Sequence, residues 1–432
     1  MNHSVHAAGA AMAFGWLILA QASHGAVPIF VFLLVLGGAW GWWVWSITNK
    51  DNYCWSMRSI FGWAVVFRLI AFSADPIYED DWYRYLWDGW RLTEGLPVYG
   101  VAPMDSFGDD RLPLALQRIL DGVNYPERPT VYGPVAQLFF GISAWIQAGS
   151  LAVLKGVWFG LELLLLGAMF RWARPQGFII YAWCPLLIFE VFFNAHLELV
   201  GLGLLCCGWM LRDRGKWMAT GLLLALAVGA RWFAFPLALL LLKDSDRNGW
   251  ISFIVGCLGV AGLGQILGGT EVGQVWNLLR EWEFNSTVFA LVQWEIGRNG
   301  ALTIFALGTV GLWLWAWNRG DAHLGSWVIL GLLVLGPVAN SWYFLWLLPF
   351  AIWRMEAWHL SVMGAVSLSY LCAYNLGGDG YEHPFWLRPM EVACALGGAV
   401  WLSGWLVKER DGGGESVVET GVASVNHSAV NE

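Results

Sequence analysis

The sequence predicts an all-α, polytopic membrane protein, a bundle of about 12–14 transmembrane helices, some of them short. Apolar runs long enough to span lipid recur from end to end. The chain is also 58% hydrophobic and only 13% charged, with 32 tryptophans, far from the make-up of a soluble domain. A third observation is that Lys and Arg gather in short clusters between apolar runs: Lys50 with Arg58, Arg171 with Arg174, Arg212–Arg214–Lys216, Lys243 with Arg247, Arg319, Arg354, and Lys408 with Arg410. Basic residues concentrate in short cytoplasmic loops, so all of these clusters are set inside.

That assignment orders the elements. The N-terminal stretch MNHSVHAAGAAMAFGWLILAQASHGA lacks the Lys or Arg of a signal peptide and reads as a short first span at 7–21. Spans at 27–46 and 59–74 carry the chain out to a long acidic and aromatic segment, residues 74–149. Within it, residues 131–147 read as a partly immersed helix, because a full crossing there would put Arg171 and Arg174 outside; residues 150–170 cross inward. Between the inside clusters at 174 and 212, 216 and 243, and 319 and 354, the chain must then cross twice. Each crossing gets roughly 12–17 residues, under about 26 Å of helix and less than a bilayer core. The outer tips of these hairpins therefore sit below the membrane surface, in a hollow lined by protein. Residues 250–268 run outward, 269–299 form an outer loop, and spans at 300–317, 357–376 and 389–407 follow. We take residues 1–408 as one transmembrane domain and the polar, Gly/Ser-rich tail 409–432 as a disordered cytoplasmic end.

Composition also excludes functions. The net charge of −8 and the lack of a basic tract exclude a nucleic-acid partner. The seven cysteines form no CxxC pair and read as small core hydrophobes. No Gly-rich phosphate loop, HExxH or GxSxG is present.

What remains is polar chemistry in apolar surroundings. The hairpin tips carry Asn194, His196 and Glu198 in FFNAHLELV, Arg231 in GARWFAF, and Asn340, Trp342 and Tyr343 in GPVANSWYF. Ionisable groups at membrane depth are costly and invite a functional reading, with helix capping or mutual pairing as the plainer one. The outer segment opens with EDDWYRYLWDGWRLTEGLPVYGVAP. Asp80 to Arg91 can form a helix with Asp81, Arg84, Asp88 and Arg91 on one charged stripe and Trp82, Leu86 and Trp90 on another face, a pattern suited to lying at the interface. Asp88 with Arg84 and with Arg91 are plausible structural ion pairs. Glu79, Asp80 and Asp81 repel one another, and burial at a cavity mouth should raise the pKa of at least one, as suits a base or a metal ligand. A divalent cation, Mg or Mn, on Asp80 and Asp81 is compatible with these residues, although no ligand spacing demands one.

Taken in order, EDDWYRYLWDG…GLPVYGVAP, PTVYGPVAQLFF, NAHLELVGLGLL, GARWFAFPLALLL, FNSTVFALV and NSWYFLWLLPF make residues 59–355 resemble the GT-C superfamily of membrane glycosyltransferases, most nearly its bacterial mannosyltransferase-like branch. The resemblance implies a GT-C-like bundle in the bacterial cytoplasmic membrane and a polyprenyl-phosphate-linked sugar as donor. It also implies an inverting transfer on the extracytoplasmic face, with mannose as the first sugar to test and a lipid, glycan or protein as acceptor. The acidic motif of such enzymes sits in the first large outer loop, where Glu79–Asp80–Asp81 sits here. Two departures are visible. Where the family pattern tends toward His-Asn-Asp at the first hairpin, this chain has Ala195-His196-Leu197-Glu198, and where a lysine is usual at the second it has Arg231.

Sugar–phosphate cleavage needs a cation to hold the leaving phosphate and a carboxylate to take the acceptor proton. Asp80 or Asp81 is the expected base, Glu79 its neighbour in the motif, and Arg231 the principal phosphate clamp. Arg68 is a second clamp candidate or one half of a helix-to-helix ion pair. Arg84 and Glu198 are further binding candidates, His196 a ligand to phosphate or sugar or a satisfied core residue, and Asn340, Trp342 and Tyr343 lining for sugar or lipid. A transporter or flippase is the alternative class; it tends to show repeated halves and ionisable groups near mid-bilayer, and no repeat is visible here.

Overall fold

A computed structural model describes residues 3–25, 27–49, 55–375 and 386–411. It is helical throughout: α1 (His3–Ser23), α2 (Ile29–Thr48), α3 (Met57–Phe72), α4 (Asp81–Thr93), α5 (Leu114–Asp121), α6 (Pro134–Gln147), α7 (Leu151–Trp172), α8 (Pro175–Ala182), the single turn α9 (Pro185–Leu187) continued by a π-helical turn (Ile188–Phe193), α10 (Glu198–Arg212), α11 (Trp217–Ala230), α12 (Ala234–Leu242), α13 (Arg247–Ile266), α14 (Val272–Glu281), α15 (Val288–Arg319), α16 (Gly325–Leu335), a 3₁₀ segment (Ser341–Leu347) leading into α17 (Leu348–Trp353), α18 (Ala357–Ala365) with a 3₁₀ extension (Val366–Asn375), and α19 (Leu387–Asp411). Six helices among the described residues are long and apolar enough to cross a membrane, which makes the chain an integral membrane protein.

The three hairpins form as their lengths dictate. α11 has 14 residues and α12 only 9, rises of about 21 and 14 Å. Their bases meet: Arg212 Nε donates to the Leu241 carbonyl at 2.9 Å, Arg214 lies over the Trp172 ring, Trp353 Nε1 donates to Asp213, and Arg354 pairs with Asp321 at 3.2 Å. The basic turns thus gather at one end of the bundle, and the tips at Asn194, Arg231 and Asn340 point to the other. The first hairpin is the most buried part of the molecule, whereas α13 and α15 turn apolar side chains outward, as lipid-facing helices do.

Several expectations are corrected. The first span is longer than 7–21, running from His3 to Ser23. The outer loop at 269–299 is itself helical: it holds α14 and the first turns of α15, which breaks at Gly297 (φ 76°). The charged stripe of α4 faces inward. Arg84, Asp88 and Arg91 are buried with Tyr85 and Trp87, because α4 packs against α6 so closely that a Cβ on Gly89 would lie 2.4 Å from the Phe140 carbonyl oxygen. The ion pairs expected on that stripe do not form. Arg84 donates to the carbonyls of Asn124, Tyr125 and Arg128, Arg91 donates to that of Pro97, and Asp88 accepts from Gln137 at 2.9 Å. Six cysteines among the described residues are free thiols. Helix α19 continues through Asp411, and the rest of the expected tail lies outside the described residues.

Candidate active site

The acidic motif sits on the strap between α3 and α4, and the hairpin tips hold it from below. Ile77 N donates to Asn194 Oδ1 at 2.9 Å, tying the strap to the first tip. Tyr78, in the left-handed region at φ 64°, anchors it on the other side through its hydroxyl to the Val27 carbonyl. The second tip is approached by PTVYGP, where only glycine fits: a Cβ on Gly133 would lie 2.2 Å from the Gly229 carbonyl oxygen at the end of α11. That contact places the Tyr132 ring 5.4 Å from the Arg231 guanidinium. At the third tip, Phe284 pairs in extended fashion with the 337–339 backbone, donating to Pro337 and accepting from Ala339. This seats Trp282 and Glu283 above Asn340.

These pieces enclose a cleft of about 600 Å³. Glu79, Asp80 and Asp81 line it together with Arg84, Arg231, Asn340, Trp342 and Tyr343. A narrow apolar recess shares Arg231, Val131, Leu278 and Tyr343 with the cleft and continues between Leu279, Phe305, Leu332 and Val338. The rim is bridged by Arg128 and Glu281 at 2.9 Å and by the paired rings of Tyr125 and Trp282.

Charge in the cleft is arranged in two groups. Asn124 Nδ2 donates to both Asp80 Oδ1 (2.7 Å) and Asp81 Oδ1 (3.0 Å), holding two carboxylates side by side. Asp80 stands on the rim, yet loss of hydration within the cleft, reinforced by repulsion from Asp81, raises its pKa to about 6. Glu79, deeper in, is pushed well above the ordinary carboxylate range by burial first and then by Asp81, Glu190 and Asp80. The second group is Arg231, which donates to Glu198 Oε1 at 2.6 Å and lies between the rings of Tyr132 and Tyr343. Its Nε and the other Glu198 oxygen have no hydrogen-bond partner, so the pair keeps polar capacity for a ligand.

Most of the sequence-derived site residues line this cleft, and three stand back from it. Arg68 is a structural cation: fully buried, it pairs with Glu162 at 2.7 Å and donates to the Ala182 carbonyl. His196 is also fully buried, stacked at 3.9 Å on Trp342, behind the residues that line the cleft. Glu198 acts on Arg231 rather than on the open space. Sequence reasoning passed over Asn124, Tyr132, Arg128 and Trp282, as well as Glu190 and Tyr370 beneath the motif. Tyr132 stands inside the PTVYGP stretch, and Glu190 is a single carboxylate inside the apolar run IFEVFF, a signal in itself. Among the described residues no three His, Cys, Asp or Glu side chains form a closed metal-binding group; Asp80 and Asp81, held side by side by Asn124, are the carboxylates that a divalent cation shared with a substrate phosphate would use.

Comparison with known proteins agrees with this architecture. The family model described as alpha-(1->6)-mannopyranosyltransferase, N-terminal domain, matches residues 3–242. Alpha-(1->6)-mannopyranosyltransferase B of Corynebacterium glutamicum is 25% identical over 370 residues, covering 69% of this chain and 58% of the relative. The chain thus spans less than two thirds of that relative's length.

Proposed function

Because the chain belongs to the alpha-(1->6)-mannopyranosyltransferase family, matching its N-terminal domain over residues 3–242, we propose that it transfers a mannosyl residue, with inversion, from a polyprenyl-phosphate donor to a hydroxyl of a glycan acceptor. The observation that carries this reading is the shared cleft, in which the acidic motif and Arg231 line one space beside an apolar recess. The apolar lining of the recess marks the side on which a lipid chain would leave the cleft, and Arg231 suits its phosphate.

The chemistry follows from that arrangement. The acceptor oxygen attacks the anomeric carbon as the bond from that carbon to the phosphate oxygen breaks, and the electron pair leaves with the phosphate. A phosphate is a good leaving group and needs charge stabilisation more than protonation, which the buried Arg231 supplies. Asp80 or Asp81 takes the acceptor proton, and their negative charge also steadies the oxocarbenium character at carbon. Inversion turns a β-linked donor into an α-linked product. The active site opens on the extracytoplasmic side of the bacterial cytoplasmic membrane, opposite the gathered basic turns.

The test uses the purified full chain in detergent with radiolabelled polyprenyl-phosphate mannose and an α-mannoside acceptor. Wild type should transfer label from this donor and not from a nucleotide-linked mannose. Asp80→Asn and Asp81→Asn should remove most transfer, and the double variant all of it, with unchanged thermal unfolding. Full activity in both single variants and in the double would overturn the assignment.

A further inference from the structure

Three side chains in the bundle with no exposure at all are carboxylates: Glu162, Glu190 and Glu198. Two of them have an arginine partner, Glu162 in Arg68 and Glu198 in Arg231. Glu190 has no Lys or Arg beside it among the described residues. Its neighbours are the Tyr370 hydroxyl, 3.0 Å from each of its oxygens, Asn194 Nδ2 at 3.5 Å, and His196 Nε2, 3.5 Å from Oε2. A buried carboxylate without a cation is costly in an apolar bundle, and packing alone gives no reason to keep one.

The backbone is distorted to put it there. Glu190 lies in the π-helical turn Ile188–Phe193, and Ala195 stands in the left-handed region at φ 62°. Both are uncommon for such residues and cluster at functional sites. Together they swing His196 back over Glu190, whose carbonyl accepts from His196 N at 3.0 Å. The imidazole then lies between two sets of carboxylates: Nδ1 is 3.9 Å from Asp81 Oδ2, and Nε2 faces Glu190 and, at 4.0 Å, Glu79 Oε2. Neither ring nitrogen has a hydrogen-bond partner. A fully buried histidine with both nitrogens free, aimed at carboxylates on its two sides, is built to pass a proton; contacts of this kind are long without substrate and tighten with it.

Resting on the mannosyl-transfer reading above, we propose that His196 and Glu190 form a proton relay behind the acidic motif. Asp81 takes the acceptor proton and passes it to His196 Nδ1. His196 releases the proton on Nε2 to Glu190, so the imidazole ends neutral as the other tautomer. Glu190 holds the proton against the Tyr370 hydroxyl; when product has left, the proton returns by the same route to Asp81, which loses it to the water entering the cleft. The other charged groups facing this path are Asp80 beside Asp81, Glu79 beside Nε2, and the Glu198–Arg231 pair; the relay restores Asp81 as a carboxylate while substrate still occupies the cleft. Glu190 and His196 are positioning and relay residues, and Asp81 touches the substrate.

Glu190→Gln keeps shape and polarity but cannot take the proton; Glu190→Asp keeps the carboxylate and shortens the reach. A relay ranks Asp above Gln, whereas a packing role ranks Gln at or above Asp. With the purified full chain, Glu190→Gln should lower kcat by about 10²-fold, with the donor KM within about twofold. Glu190→Asp should recover part of kcat. Tyr370→Phe, which removes one hydroxyl, should lower kcat by about tenfold and decides the matter if either Glu190 variant fails to fold. An active wild type accompanied by wild-type kcat in Glu190→Gln, or by Gln ranking above Asp, overturns the relay alone. A wild type inert toward the polyprenyl-phosphate donor overturns the mannosyl reading, and the relay with it.

Discussion

A carboxyl group with a pKa near 6 changes charge just below neutrality, and Asp80 is such a group. Its shift comes from lost hydration within the cleft and from Asp81 next to it, both of which disfavour the ionised form. The sign for activity follows. Below about pH 6 Asp80 carries a proton and can neither accept one from an acceptor hydroxyl nor add negative charge opposite a developing oxocarbenium ion. Initial transfer rates should therefore fall as pH is lowered through about 6 and level off above it. In Asp80→Asn the residual activity should lack that limb, since the amide does not titrate. A limb unchanged in position in Asp80→Asn would assign it to another group and take Asp80 out of the chemistry. The same residue shows why adjacent acids are useful: Asp81 raises both Asp80 and Glu79, and Asn124 keeps Asp80 and Asp81 close despite the repulsion.

At the scale of elements, the site exists because loop and helix ends approach each other without side chains between them. Gly133 is the clearest case, its backbone passing over the last turn of α11. A methyl there would stand 2.2 Å from the Gly229 carbonyl oxygen, a backbone atom that cannot rotate away. Gly133→Ala must push PTVYGP off the second hairpin and move Tyr132 away from Arg231. Overpacking of this kind costs about 1–3 kcal/mol. Thermal unfolding should shift down by a few degrees, and transfer should fall further than stability does, because the displaced ring sits beside Arg231. Gly156→Ala on α7, where an added Cβ meets nothing within 4 Å, is the control and should leave both measurements unchanged. Equal, small effects of the two substitutions would mean that the loop can yield and that its contact does not position Arg231.

For the molecule as a whole, the hairpins were legible because their basic bases bracket too few residues for full crossings, and the tips were legible because Asn194, Arg231 and Asn340 interrupt apolar runs. The inward turn of the α4 stripe was not, since a helical pattern separates faces without saying which face meets a neighbour. Nor was the partner of Arg68, since Glu162 lies 94 positions away, or the role of Tyr370, which reaches Glu190 across 180; such pairings leave no local pattern. One consequence of the shape can be checked without any substrate. The basic turns converge at one end through Arg214–Trp172, Arg212–Leu241 and Arg354–Asp321, and the cleft opens at the other. Basic turns favour the cytoplasm, so residues such as Asp110 in the outer segment should face the opposite compartment from Asn248 at the start of α13. In a chain whose own cysteines are replaced by alanine, a membrane-impermeant thiol reagent should label Asp110→Cys in intact cells, and Asn248→Cys only after the membrane is opened. The reverse pattern would place the acidic motif in the cytosol, where a nucleotide-linked sugar is the natural donor, and would remove the ground for a lipid-linked one.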